Sequence, residues 1–164
     1  QGKPLVAIRT SCHAFCLRND RPPAGLAEWP DFDQQILGCH YQDHYPNDVM
    51  THVRIAGKAS DHPILQGVHS DEWRVFSSLY RMLPLAESTT LLMTGRAADN
   101  TPHEPVAWTN GPKNGNRGFF TSLGHPQDFT LPDFVRLLRN GIYWAADLPV
   151  PMRDVVIVED APQK

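Results

Sequence analysis

The chain has 164 residues, of which 41% are hydrophobic and 20% charged, with a formal net charge of −3. That length and mixture fit one globular domain with a core large enough to need no staples, and they exclude a disordered chain. The slightly acidic balance gives no electrostatic case for nucleic acid or an anionic membrane, and no apolar run approaches a bilayer span.

Leu5-Val6-Ala7-Ile8 is a short unbroken apolar run, the mark of a strand buried on both faces. At its end Arg9-Thr10-Ser11-Cys12-His13 gathers small and polar groups. The opening Gln1-Gly2-Lys3-Pro4 is no secretory leader. Any leader would lie upstream of Gln1, so cytoplasmic and periplasmic or secreted settings both stay open. Residues 17–28, polar and broken by two prolines, predict a loop. Trp29 to Gly38 has an early proline, acids in its first turn and Phe32, Ile36 and Leu37 on one face, which predicts a short helix.

Cys39 to Asp48 has no periodicity and is dense in His, Tyr and Asp. Residues 49–55 alternate and predict a strand towards an edge. His62 to Val68 predicts a turn with two buried apolar anchors, capped by His62. Further strands are expected over 74–76, 89–94, 105–109 and 117–123, the last two joined by a turn-rich connection over 110–116. The final helix has the clearest signals. Thr130 and Asp133 form a capping pattern with Pro132 in the first turn, and Phe134, Leu137, Leu138, Gly141, Ile142 and Ala145 follow at helical spacing. Residues 149–151 end it, and Val155 to Val158 predicts another edge strand. Trp108 and Trp144 fall in core patterns, whereas Trp29 suits a cleft.

The stretch Gly118-Phe119-Phe120-Thr121-Ser122-Leu123-Gly124-His125-Pro126-Gln127-Asp128 reads as a buried strand delivering His125 to its carboxyl end, where open α/β sheets bind ligands. His13 ends the first strand in the same way. With His40, Asp43 and His44 these imidazoles suit zinc or a similar divalent ion. With Tyr41, Tyr45, Trp29 and Arg9 they equally suit a sugar, whose apolar faces stack on aromatic rings. Gln127 and Asp128 either hold the His125 ring or touch a ligand. Arg9 binds a hydroxyl or carboxylate, or pairs with Asp43 or Asp128. His52, His62, His69 and His103 read as structural or exposed. Cys12, Cys16 and Cys39 are an odd count without a paired zinc spacing, so at least one stays unpaired; a disulfide from Cys39 to Cys12 or Cys16 stays open, and buried thiols are the favoured expectation.

In chain order, Gly2 to Phe15, His62 to Val68, Pro105 to Thr109, Phe119 to Phe129 and Leu137 to Asp147 together resemble the trehalose-utilisation (ThuA-like) family. The resemblance implies an α/β, flavodoxin-like open sheet of the class I glutamine amidotransferase type, with helices on both faces. Such domains begin with several βα units before a strand like Leu5–Ile8. The resemblance therefore implies a single domain over 1–164 lacking its first units, with exposed apolar surface favouring self-association or association with the missing N-terminal portion. It also sets Thr10 at the amidotransferase nucleophile, His13 on the histidine after the elbow, Cys12 where that pattern has glycine, and His125-Pro126-Gln127 against His-Pro-Glu. Without the nucleophilic cysteine and the glutamate, glutamine hydrolysis is not expected.

Two functions follow as expectations. One is acid–base chemistry on a trehalose-type or keto-sugar, with His125 and His13 as acid and base and Arg9, Thr10, Cys12, Tyr41, His44, Gln127 and Asp128 binding substrate. The other is a non-catalytic carbohydrate-binding or interaction domain on a degenerate amidotransferase scaffold.

Overall fold

The computed structural model describes residues 3–17, 21–111 and 117–152. Its strands are β1 (Leu5–Ile8), β2 (Asp43–His44), β3 (Thr51–Ile55), β4 (Trp73–Val75), β5 (Tyr80–Arg81), β6 (Thr89–Arg96), β7 (Glu104–Asn110) and β8 (Gly118–Thr121). Pro132–Ala145 (α1) is the one α-helix among the described residues. Six strands form a mixed sheet in the order β1-β8-β7-β6-β3-β4, and β2 pairs with β5 in a separate ribbon. β1 and β8 run parallel with Ile8 opposite Thr121, and the other pairs of the sheet are antiparallel.

Central strands that are apolar on both sides need cover on both sides, and the side chains sort accordingly. β7 is buried at all seven positions. Phe119 joins Phe134, Leu137 and Leu92 in the larger core, whereas its neighbour Phe120 joins Trp108, Ala7, Cys12 and Tyr80 in a second one. α1 covers the first face with Phe134, Leu137, Gly141 and Ala145. Ile142, expected in that stripe, is 49% exposed. The buried Asn140 amide donates to the carbonyls of Ile64 and Gln66, tying the Pro63–Leu65 turn to α1. His62 caps that turn by accepting the Ile64 N–H, as its sequence predicts.

The second face carries short turns instead of a long helix. A 3-10 turn over Arg9–His13, a π-helical turn over Asp33–Leu37 and the β2–β5 ribbon cover it. The helix expected from Trp29 to Gly38 contracts to that single π turn for a local reason. The Asp33 carboxylate accepts the backbone N–H groups of Gln34 and Tyr41, both at 2.8 Å, and Gly38 turns the chain at φ 71°.

The Thr130–Asp133 capping pattern is not used. Thr130 donates its hydroxyl to the Gln127 carbonyl, Asp133 bonds His69 instead, and Leu131 stands at the helix N-cap. A capping box does form a turn earlier, between His125 and Asp128 around the 3-10 turn Pro126–Thr130. The strand expected over 155–158 lies outside the described residues. Among the described residues no helix is long and apolar enough to cross a membrane. Cys12, Cys16 and Cys39 remain thiols, with Cys12 and Cys39 buried.

Candidate functional site

Because β1 and β8 are parallel neighbours, their carboxyl ends lie side by side, and both lead into polar turns. Gly124, at φ 122°, brings the turn after β8 onto the end of β1. A Cβ on Gly124 would stand 3.6 Å from the Ile8 side chain and 3.9 Å from the Arg9 Cβ. One buried carboxylate fastens this turn. Asp128 accepts the Phe76 N–H at 2.7 Å and the Ser77 hydroxyl at 2.5 Å, with the N–H groups of Gly124 and His125 at 3.0 and 3.1 Å. Ser77 Oγ shares those same two N–H groups. A fully buried charge is tolerable here because donors surround it. The half-buried His125 ring tilts against Phe76, and its Nδ1 accepts the Gln127 N–H at 3.2 Å.

The turn after β1 builds the second half. Arg9 takes φ 47°, the left-handed region that residues with a side chain rarely adopt. The Cys12 thiol donates to the Arg9 carbonyl and lies 3.3 Å from His13 Nδ1. The His13 ring stacks on Tyr41, with centroids 4.4 Å apart, and Tyr41 meets the edge of Tyr80. The His44 ring lies 6.0 Å from Tyr80, and the Arg9 guanidinium sits over Tyr80 at 5.6 Å. Burial pushes the Tyr80 phenol up, and the Arg9 charge partly offsets this. Burial, then the neighbouring Cys12 and Asp33, push the Cys39 thiol up, so it stays protonated. Ser77 and Tyr80 belong to one short segment, and three residues of extended chain span about 10 Å at most. The His125 turn and the Arg9–His13 cluster are therefore two walls of one sheet edge.

The family model described as trehalose utilisation (ThuA) matches residues 23–145. The chain belongs to the ThuA family. It is similar in structure to a ThuA-like protein from Bacteroides uniformis, with a TM-score of 0.62 and 16% identity, over 88% of this chain and 58% of that one. It thus spans somewhat over half the length of that neighbour, and the likeness supports the α/β, flavodoxin-like fold. A comparison with curated proteins finds no match. The ThuA match includes Tyr41, His44, Ser77, Tyr80 and His125, and begins after the Arg9–His13 turn.

In this ThuA-family chain, Arg9, Cys12, His13, Tyr41 and His44 gather around Tyr80, and His125 stands on the adjoining turn. Thr10 is exposed, and the strained position after β1 belongs to Arg9 rather than to Thr10. Gln127 is exposed and meets His125 through its backbone. Asp128 is completely buried and, of the two expectations for it, meets His125 by accepting its backbone N–H. Arg9 pairs with neither Asp43 nor Asp128. Trp29 bonds Gln35 and packs on Phe32, and Tyr45 lies under Arg81. His40 turns towards Asp33 at 3.7 Å, beside a cavity of about 250 Å³ lined by Gln34, Gly38, Cys39, His40 and Pro84 to Ala86. Among the described residues no three His, Cys, Asp or Glu side chains are grouped as a metal would require.

Phe76, Ser77 and Tyr80 escape the sequence reading. Their signal was the pair Ser77-Ser78 set between the apolar pairs Val75-Phe76 and Leu79-Tyr80, where buried hydroxyls need a polar purpose.

Proposed function

We propose that this sheet edge binds a sugar and performs acid–base chemistry on it, with His125 as the acid and His13 as the base. The observation that carries this reading is the hydrogen bond from the Gln127 N–H to His125 Nδ1. With Nδ1 accepting, the neutral ring holds its proton on Nε2, away from the backbone, where it can donate to a sugar oxygen. His13 is set the opposite way. The Cys12 thiol gives its one proton to the Arg9 carbonyl, so His13 Nδ1 is the donor towards sulfur and Nε2 carries the lone pair. These protons are assigned from the bonding partners. The half-buried Tyr41, stacked on His13, supplies an aromatic ring of the kind that packs on sugar C–H groups, and membership of the trehalose-utilisation family supports a sugar substrate.

A positioned acid or base contributes about 10²- to 10⁴-fold to rate. With trehalose and a keto-disaccharide as probes, His125→Ala and His13→Ala are expected to lose turnover by that order while the fold and sugar affinity persist. Turnover indifferent to both substitutions overturns the roles. One observation favours the second reading, a carbohydrate-binding domain without catalysis. Asp128 holds the His125 backbone and Gln127 brings an amide, so neither gives the ring a carboxylate to stabilise its charged form. That reading predicts sugar binding without turnover of either probe, unchanged in the two alanine variants.

A further inference from the structure

We infer that the sugar taken by this edge carries an anionic group, a carboxylate or phosphate, and that Arg9 binds it. The inference rests on the sugar-site reading and adds the charge of the ligand. The face of the Arg9 guanidinium lies over Tyr80, an arrangement that attracts a cation but uses none of its N–H bonds. Nη1 is buried and has no hydrogen-bond partner. An arginine normally meets a carboxylate in such a place, and the carboxylates nearby are engaged elsewhere. Asp128 is taken up by Ser77 and three backbone N–H groups. Asp33 is taken up by the N–H groups of Gln34 and Tyr41.

A buried guanidinium nitrogen with an unmet N–H is costly, and the left-handed backbone of Arg9 adds a second cost at the same residue. A ligand oxyanion removes the first. The surrounding groups extend the same demand. The hydroxyls of Ser11, Ser78 and Ser122 are also buried without hydrogen-bond partners. Ser11 lies in the Arg9 turn. Ser122 follows Thr121, the β8 partner of Ile8, so it continues the strand beside Arg9. Ser78 follows Ser77, which holds the Gly124 turn. These hydroxyls lie on segments that adjoin the Arg9 turn, and an oxyanion supplies Arg9 with the counter-charge that a neutral disaccharide does not bring.

The test is calorimetric titration of the full chain with glucose, glucuronate, glucose 6-phosphate and inorganic phosphate at matched ionic strength. The expected result is that glucuronate or glucose 6-phosphate binds about tenfold or more tighter than glucose, with the advantage shrinking as salt is raised. Which acid wins tells carboxylate from phosphate. Arg9→Asn is the variant of choice because asparagine tolerates the left-handed backbone, and it is expected to abolish the advantage with the fold intact. Equal affinity for glucose and its acids in the unmodified chain overturns the inference and leaves the sugar site standing. So does an advantage that persists in Arg9→Asn. Arg9-dependent binding of inorganic phosphate without any sugar binding upholds an anion site at Arg9 and removes the sugar reading. Silence from all four probes removes both.

Discussion

The Asp128 carboxylate accepts the Ser77 hydroxyl across 51 residues of chain, and Ser77 in turn accepts the N–H groups of Gly124 and His125. The candidate acid is therefore held by its backbone. Its ring is half-buried, while its backbone is fixed to the segment that leads into Tyr80.

Asp128→Asn tests that arrangement. An asparagine turns an NH₂ towards some of the donors the carboxylate now accepts, leaving buried donors unmet. A loss of about 3 kcal/mol in folding stability is expected, read from urea midpoints. Ser77→Ala removes one hydroxyl and is expected to cost about 1–2 kcal/mol. Midpoints unchanged in both variants would show that the His125 turn is held by something else.

Gly141→Ala sets two effects against each other. Alanine gains about 1 kcal/mol of helix propensity over glycine in a helix interior. Here its Cβ would overlap the Phe119 ring, which is itself 1% exposed and has nowhere to move. Overpacking of that kind costs about 1–3 kcal/mol. The clash is expected to win, lowering the urea midpoint, and Phe119→Leu in the same chain is expected to recover part of the loss. A more stable Gly141→Ala protein would mean that α1 can step away from the sheet.

Glu104 lies at the start of β7, nearly buried, and burial pushes its carboxyl up, only partly opposed by the Met82 N–H and the Arg81 charge. A carboxyl whose folded value is raised binds protons more readily folded than unfolded. Its contribution to stability is therefore full below the ordinary carboxylate range and declines as pH rises through the folded value. Glu104→Gln is expected to be more stable than the unmodified chain at neutral pH, with the difference vanishing as pH is lowered to about 4. A difference that does not change with pH would sink this account.

The parts of the fold legible in the sequence are those with a periodic or continuous apolar signal. Leu5 to Ile8, the strand ending at Thr121 and the helix carrying Phe134 and Leu137 needed no tertiary information. The β2–β5 ribbon left no trace, because two residues per strand set no period and it is defined by backbone pairing across a long stretch of chain, Asp43 with Arg81 and His44 with Tyr80. Asp133 shows a different limit. Its capping pattern is sound locally, but His69, 64 residues away, takes the carboxylate. At the candidate site, the placement of Arg9, His13 and His125 at neighbouring strand ends was legible because polar groups there are conspicuous. The division between exposed Gln127 and buried Asp128 could not, since it depends on how one 3-10 turn is rotated.

Among the described residues β1 pairs with β8 alone, and it is the strand that carries Arg9, Cys12 and His13 to the site. The two halves of the site are thus fastened by different means, the Arg9 half by the pairing of β1 with β8 and the His125 half through Asp128 and Ser77. Any ligand that touches both halves spans the β1–β8 seam, so its affinity reports on how closely those two strand ends are held together.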